Sequence, residues 1–556
     1  MKVILVAVNS KFIHSNLAVR YLKSYTKDLN YQCDFKEFSI NDREERVVEE
    51  ILKDKPDMIG FSCYIWNIEF VKKVSKLIKL INPKIEVFYG GPETSYDPIE
   101  FLMENVGEYL IEGEGEETYR EFIESKLNLS PLEDIKGLYY RKEGKIIYGG
   151  KRSLMDMNKI VFPYEEGDDL KNKIVYYEAS RGCPFNCKYC LSSTTHGVRF
   201  LDMDRVLREL QFFINKKVRL VKFVDRTFNC NKVFANTIWK YLIEKGGETC
   251  FHFEVSADLF SKESIEILKE APKGMFQFEV GVQTTNDVIL RNINRTIKFA
   301  TIKEKVEELN NLNNIKQHLD LIAGLPGEDF NSFRKSFNEV YEISPEELQL
   351  GFLKLLRGSQ MRAESEKWGM VYSPYPPYEI LKTKDISYNE LLVLKKVEHM
   401  VDKYLNSGKF YKILNFFVFS AKFKDVFEFY YELSRFYDEC GYFERSISAI
   451  EYYELFVKFN RKLCIGNEKL LLDIIRYEYF AFNNTKWIPE FLKVEMTKEE
   501  ERLLKEKILK EYSVKNINKI SIIKFTNDME KYIDSGEIEK KECYIAYFAD
   551  GRKIFV

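Results

Sequence analysis

Apolar residues in the first part of the chain fall alternately into short continuous runs and into helical spacings. KVILVAV (2–8) is the β-branched kind of run that a strand covered on both faces requires. LAVRYLKSY (17–25) places its apolar residues three and four apart, as an amphipathic helix does. DMIGFSCYI (57–65) predicts another strand, EFVKKVSKLIKLI (69–81) a helix, and KIEVFYGG (84–91) a strand ending in two glycines. EYLIEGEGEETYREFIE (108–124) predicts a strand, a tight turn and a helix. This alternation predicts an α/β fold: a doubly wound, Rossmann-like domain over 1–130, with ligands at the carboxyl ends of its strands. GLYYRKEGKIIYGG (137–150) reads as a hairpin turning at Glu143-Gly144, inside a connector over 131–175.

A second alternating series occupies 176–360. Its strands are IVYYEAS, RLVKFVD, FHFEVSA, MFQFEVGVQ, KQHLDLIAGLPG and ELQLGFL, with helical patterns between them. Six such strands predict a partial (β/α)6 barrel, whose chemistry would sit at the carboxyl ends. Beyond 361 the pattern becomes mainly α-helical and rich in Tyr and Phe. LLVLKKVEHMVDKYLN, VFEFYYELSRFYDECGYF and LLLDIIRYEYFAF are its amphipathic segments, and ECYIAYFADGRKIFV closes as a hairpin at Asp550-Gly551.

Composition changes this picture little. The chain has 556 residues, enough for three or four domains on a rough size prior, and 45% are hydrophobic against 31% charged, which is a globular balance. A formal net charge of -2 supplies no overall field for nucleic acid or anionic membrane. KEKILKEYSVKNINK (505–519) is a local basic and aromatic stretch that could still touch RNA. No run of 18 apolar residues is present, and MKVILVAVNSKF is too short in its apolar part for a secretory signal, so a cytoplasmic location is expected. Clustered thiols in a reducing compartment read as metal ligands or catalysts.

Three of the ten cysteines do cluster. YEASRGCPFNCKYC (177–190) holds Cys183, Cys187 and Cys190 directly after the first barrel strand. Zinc takes four ligands, often in two separated pairs, whereas three thiolates suit a [4Fe–4S] cluster with one open iron. Tyr189 can lay its ring against a bound aromatic group.

C-x3-C-x2-C after the first strand of a parallel barrel resembles the radical S-adenosylmethionine superfamily. The resemblance implies S-adenosylmethionine chelated at the open iron, its one-electron cleavage to a 5′-deoxyadenosyl radical, and an external one-electron reductant such as flavodoxin or ferredoxin. FVDRTFN (223–229) stands where the family contacts the methionine amino group, making Asp225 and Arg226 candidates. Glu254 resembles the ribose ligand, with Ser256 beside it. Gln283 ends the strand run within EVGVQTTN (279–286), Arg295 in NRTI is placed to reach the methionine carboxylate, and LIAGLPGE, through Ala323 and Leu325, resembles the adenine-binding backbone.

A doubly wound domain ahead of the barrel resembles the cobalamin-binding subgroup of that superfamily. SCY (62–64), YGGPE (89–93) and IEGEGEET (111–118) carry this likeness. The subgroup often has D-x-H-x-x-G after its first strand, with the His on cobalt; here VNSKFIHSN (8–16) has His14 but Phe12 and Leu17 at the Asp and Gly positions. Cobalamin is therefore a cofactor that the layout implies and the departed motif argues against. The domain would then serve as a lid, with Asn9, His14, Tyr64, Trp66 and Glu93 over the barrel mouth. The whole layout is similar to that of queuine lyases, which implies a small-molecule substrate built on a 7-deazaguanine base. It also implies carbon–nitrogen cleavage to 7-aminomethyl-7-deazaguanine. Glu93, Glu114 and Asp320 are then the carboxylates that would accept the base's paired N–H donors. Two alternatives stay open at this point: a cobalamin-dependent radical methyltransferase, and a tRNA-modifying enzyme recruited through the C-terminal helices.

Overall fold

The computed structural model describes residues 1–195, 197–483, 488–511, 520–548 and 551–556. The chain divides into two compact units, one of residues 1–336 with 350–391, the other of 337–349 with 392–556. The expected N-terminal domain and barrel thus belong to one unit.

Its first sheet contains β1 (Lys2–Asn9), β2 (Gln32–Ser39), β3 (Met58–Ser62), β4 (Glu86–Gly90), β5 (Tyr109–Ile111), β6 (Leu138–Lys142) and β7 (Lys145–Tyr148). The order is β2-β1-β3-β4-β5-β6-β7, with the first five parallel. Alternate residues of β1 enter two separate cores: Ile4, Val6 and Val8 on one face, Val3, Leu5 and Ala7 on the other. That is why the run carries no polar alternation. The strand order reverses between β1 and β3, so their carboxyl ends open a crevice of the kind that binds ligands in doubly wound sheets. One strand is added and one expectation changes. β2 has too few apolar residues to stand out in the sequence. The predicted hairpin, β6 and β7, extends this sheet in antiparallel register rather than forming a connector.

The barrel strands are β8 (Ile174–Tyr177), β9 (Ser180–Cys183), β10 (Gly197–Phe200), β11 (Leu220–Phe223), β12 (Cys250–Val255), β13 (Phe276–Gln283), β14 (Lys316–Ala323) and β15 (Glu347–Phe352). Six form one sheet in the order β15-β14-β13-β12-β11-β8. Phe223, Phe253 and Phe278 pack one face with Trp239, while Lys222, Glu254, Glu279 and Asp320 alternate onto the other. The partial barrel is thus apolar outside and polar within. β9 and β10 form a separate antiparallel hairpin, and all three cysteines lie on its connecting segment or at its start.

The second unit packs the helices Tyr411–Val418, Val426–Glu439 and Glu451–Leu463 through rings such as Phe417, Phe429, Phe456 and Phe459, and Glu451–Leu463 meets Glu468–Phe482 through Tyr453 and Tyr479. These aromatics form the core, as helical spacing of large apolar residues usually signifies. Strands Ile520–Phe525, Cys543–Phe548 and Lys553–Phe555 form an antiparallel sheet. Asp550 of the expected turn, and 512–519 of the basic stretch, lie outside the described residues. Among the described residues, no helix is long and apolar enough to cross a membrane.

Candidate functional site

A cavity of ≈ 780 Å³ opens where the carboxyl ends of β1, β3 and β4 meet the mouth of the barrel. Asn9, His14, Tyr64 and Trp66 come to it from the first sheet, and Tyr176, Lys222, Arg226 and Glu254 from the barrel. Asn9 is buried and donates from Nδ2 to the His14 carbonyl at 2.9 Å. Tyr64 and Trp66 stack with their rings 4.5 Å apart and nearly parallel, while the indole N–H donates to the Val8 carbonyl. His14 Nδ1 lies 2.8 Å from the Tyr176 hydroxyl, and burial, reinforced by Lys11, Lys222 and Lys173, lowers its pKa.

Glu254 faces this cavity with Arg226 at 3.8 Å. Burial raises its carboxyl to about 7 against the pull of Arg226. Deeper on the polar face, Glu279 takes His252 Nε2 at 3.3 Å and Lys222 Nζ at 3.4 Å, and the histidine contact above all holds it at about 2. Asp320 sits beside these acids, its carboxyl kept well above the usual range by burial and then by Glu279 and Glu254. Its Oδ1 has no hydrogen-bond partner among the described residues.

The cysteine hairpin is fastened to the first sheet by a buried charge network that the sequence did not reveal. Arg181 donates from Nε and a terminal nitrogen to Glu178, and from the same terminal nitrogen to Glu116 at 2.8 Å. Arg199 pairs with Glu114, whose second oxygen also accepts from the Met155 N–H at 3.2 Å. The EGEGEE segment is thus a socket for two arginines flanking the cysteine loop. Only its density of acids, set against Arg181 and Arg199, could have hinted at this.

Cys183, Cys187 and Cys190 share that loop. Cys187 is buried, and burial, then its neighbouring thiols, raise its pKa while Arg295 pulls it down. Among the described residues, no three His, Cys, Asp or Glu side chains converge as ligands of a single ion would. The fit to a [4Fe–4S] cluster rests on the donor set: three thiols on one short loop beside a buried guanidinium that favours thiolate. Tyr189 and Arg295 stand beside Cys187, and Arg295 also donates to the Gly281 carbonyl.

The structure reassigns several expected contacts. Asp225 is 1% exposed and fully engaged, accepting from the Ala179 N–H at 3.0 Å and the Ser180 hydroxyl at 2.6 Å. It braces the turn from β8 into β9 and does not line the cavity; burial raises its carboxyl to about 7. Ser256 is buried and donates to Asp258. Glu93 is buried under Tyr378, whose hydroxyl donates to it at 2.7 Å, so it does not reach the cavity. Glu114 does line the cavity, but its carboxylate is committed to Arg199. Gln283, Asp320 and Arg295 stay off the cavity wall, as do Ala323, whose carbonyl accepts from Leu353, and Leu325.

The corrinoid fit is mixed but positive. His14 lines the cavity with Nδ1 already partnered, and small residues such as Ser15, Ala18, Ser62, Gly90 and Gly115 leave its sheet-side wall open. Leu17 lines the same wall, and Phe12 points away, 71% exposed.

Comparison with known proteins agrees with this layout. A family model described as the B12 binding domain matches residues 3–123, one for the radical SAM superfamily residues 177–340, and one for a protein of unknown function, DUF4080, residues 366–547. An uncharacterized methyltransferase of Pyrococcus horikoshii, PH0819, is 26% identical over 51% of this chain and 63% of its own length. The cobalamin-dependent radical SAM methyltransferase TokK of Streptomyces tokunonensis is 26% identical over 58% of this chain and 51% of its own. The chain thus spans between about half and under two thirds of these relatives. Among solved structures, OxsB with aqua-cobalamin and S-adenosylmethionine bound superposes with a TM-score of 0.60, at 15% identity, over 86% of this chain and 78% of that one. The methyltransferase TsrM from Kitasatospora setae, with cobalamin and a [4Fe–4S] cluster bound, superposes at 0.58, with 14% identity, over 68% and 82%. At these identities the likeness is one of fold.

Proposed function

Since the chain is a member of the radical S-adenosylmethionine superfamily with an N-terminal cobalamin-binding-like domain, we propose that it is a cobalamin-dependent methyltransferase acting on a small molecule. The observation that carries this is a cavity walled both by the strand ends of the first sheet and by the barrel mouth. The matched relatives named as methyltransferases support it. Cys183, Cys187 and Cys190 would hold the cluster, and His14 would face the corrinoid. The chemistry supplied when these groups are bound is one-electron cleavage of the sulfonium, hydrogen abstraction and methyl transfer. The chain's own residues do the rest. Arg226 and Glu254 offer a paired charge for a polar cosubstrate at the mouth. The Tyr64–Trp66 stack shields one wall from water. Holding the reacting carbon against that wall is where proximity would contribute most to rate.

A second reading is favoured by a different observation. Phe12 stands where the cobalt-binding motif has its acid, and the Tyr64–Trp66 stack is a flat surface suited to a planar base. On that reading the enzyme cleaves queuine to 7-aminomethyl-7-deazaguanine, although Glu93 and Glu114, two carboxylates it would use, are engaged elsewhere.

Anaerobic assays decide between them. With cluster, a one-electron reductant such as reduced flavodoxin, S-adenosylmethionine, hydroxocobalamin and a small-molecule methyl acceptor, methyl transfer is expected to give S-adenosylhomocysteine and methylated acceptor alongside 5′-deoxyadenosine. If queuine instead gives 7-aminomethyl-7-deazaguanine in step with 5′-deoxyadenosine, without cobalamin, the second reading replaces the first.

A further inference from the structure

The loop that carries His14 belongs to the first domain by sequence, and its hydrogen bonds join it to that domain, through Asn9, and also to the barrel. The Ile174 N–H donates to the Ile13 carbonyl at 2.7 Å, and the Ser15 N–H and hydroxyl donate to the Ile174 carbonyl at 3.3 and 3.0 Å. His14 itself pairs with Ile174 in parallel register. Lys173 lies 3.9 Å above the Phe12 ring and donates to the Phe12 carbonyl at 2.5 Å. The residue that replaces the motif's acid is therefore used as an anchor onto β8.

The same strand then supplies what Phe12 cannot. Two residues along from Ile174, on the same face, Tyr176 brings its hydroxyl to 2.8 Å from His14 Nδ1, with the rings 6.0 Å apart at 28°. Both residues line the cavity, and His14 Nε2 has no hydrogen-bond partner among the described residues. A metal-binding imidazole needs its other ring nitrogen fixed by an acceptor, which selects the tautomer and orients the ring.

We propose that Tyr176 is the positioning partner of His14: its phenol oxygen accepts the Nδ1 proton and presents Nε2 to the cavity as a bare lone pair for cobalt. The histidine's aim is then set by the barrel together with the domain that carries it, whose Asn9 holds the His14 carbonyl. This inference rests on the cobalamin reading above.

The test uses full-length protein with its cluster reconstituted and hydroxocobalamin as the probe, reduced in place to the cobalt(II) state. Electron paramagnetic resonance of the wild type is expected to show cobalt lines split by one nitrogen, and His14→Ala to lose that splitting. Tyr176→Phe removes one oxygen, so the fold, judged by iron content, is kept; cobalamin affinity is expected to fall about tenfold, with the splitting broadened. A second measurement needs no tyrosine variant. The chain has only five histidines, so ¹⁵N-histidine labelling, assigned with His14→Ala, reads the tautomer directly and should find Nδ1 protonated. An Nε2-protonated ring, or splitting and affinity unchanged in Tyr176→Phe, overturns the inference and leaves the cofactor reading intact. Splitting that survives His14→Ala also overturns it. A wild type that binds no cobalamin overturns both.

Discussion

At the scale of single residues, the site separates ligands from braces. Replacing Cys183, Cys187 and Cys190 together with Ala is expected to abolish the brown iron–sulfur chromophore and the roughly four irons per chain of a full cluster. Full iron retention in that variant would contradict the assignment. Asp225 is a brace: its two oxygens satisfy the Ala179 N–H and the Ser180 hydroxyl. Asp225→Ala leaves those buried donors unpaired, at a cost of about 1–3 kcal/mol. The expected result is a lower thermal midpoint with the affinity for S-adenosylmethionine little changed. A large selective loss of that affinity, with the midpoint kept, would return Asp225 to ligand duty. Glu254, half-buried on the cavity wall with Arg226, should show the opposite pattern.

At the scale of elements, the hairpin of β9 and β10 depends on Arg181. Removing one partner from a buried ion pair leaves uncompensated charge and is strongly destabilising. Arg181→Met is therefore expected to cost about 3 kcal/mol and to lower the iron retained after reconstitution, since the cysteine loop follows two residues later. Stoichiometric iron with an unchanged melting curve would show that the network is dispensable. Much of this level was legible in the sequence. Helix Leu17–Tyr25 matches its apolar spacing, and β1, β3, β4 and all six barrel strands lie where their β-branched or aromatic runs are. The elements that escaped notice, β2 and the β9–β10 hairpin, take their stability from neighbours and not from an apolar pattern of their own. The candidate site was legible in part for a related reason. Spacing along one loop identifies three thiols, but whether Glu93, Asp225 or Ser256 faces a ligand or a neighbour is set by tertiary partners such as Tyr378, Ala179 and Asp258.

For the molecule as a whole, several buried acids set the direction of its response to pH. Burial raises Asp225 and Glu478 to about 7 and Glu328 to about 8. The folded chain therefore holds protons that the unfolded chain releases near pH 4. Stability from these groups is fully present below the unfolded value and declines as pH rises through 7 to 8. The thermal midpoint is expected to be higher at pH 6 than at pH 8, and a midpoint that rises over that interval would contradict this. The seam between residues 12–15 and β8 has another consequence at this scale. β8 ends the barrel sheet, and a bare sheet end offers unpaired N–H and C=O groups to any passing chain. In this protein the His14 loop pairs with the start of that rim, taking up the N–H and C=O of Ile174. A barrel produced without the first 150 residues should therefore self-associate into aggregates, and light scattering that finds a soluble monomer would show the rim needs no such cover. The segment that aims the histidine is in this sense also the guard against misassembly, so sequence change there is constrained twice over.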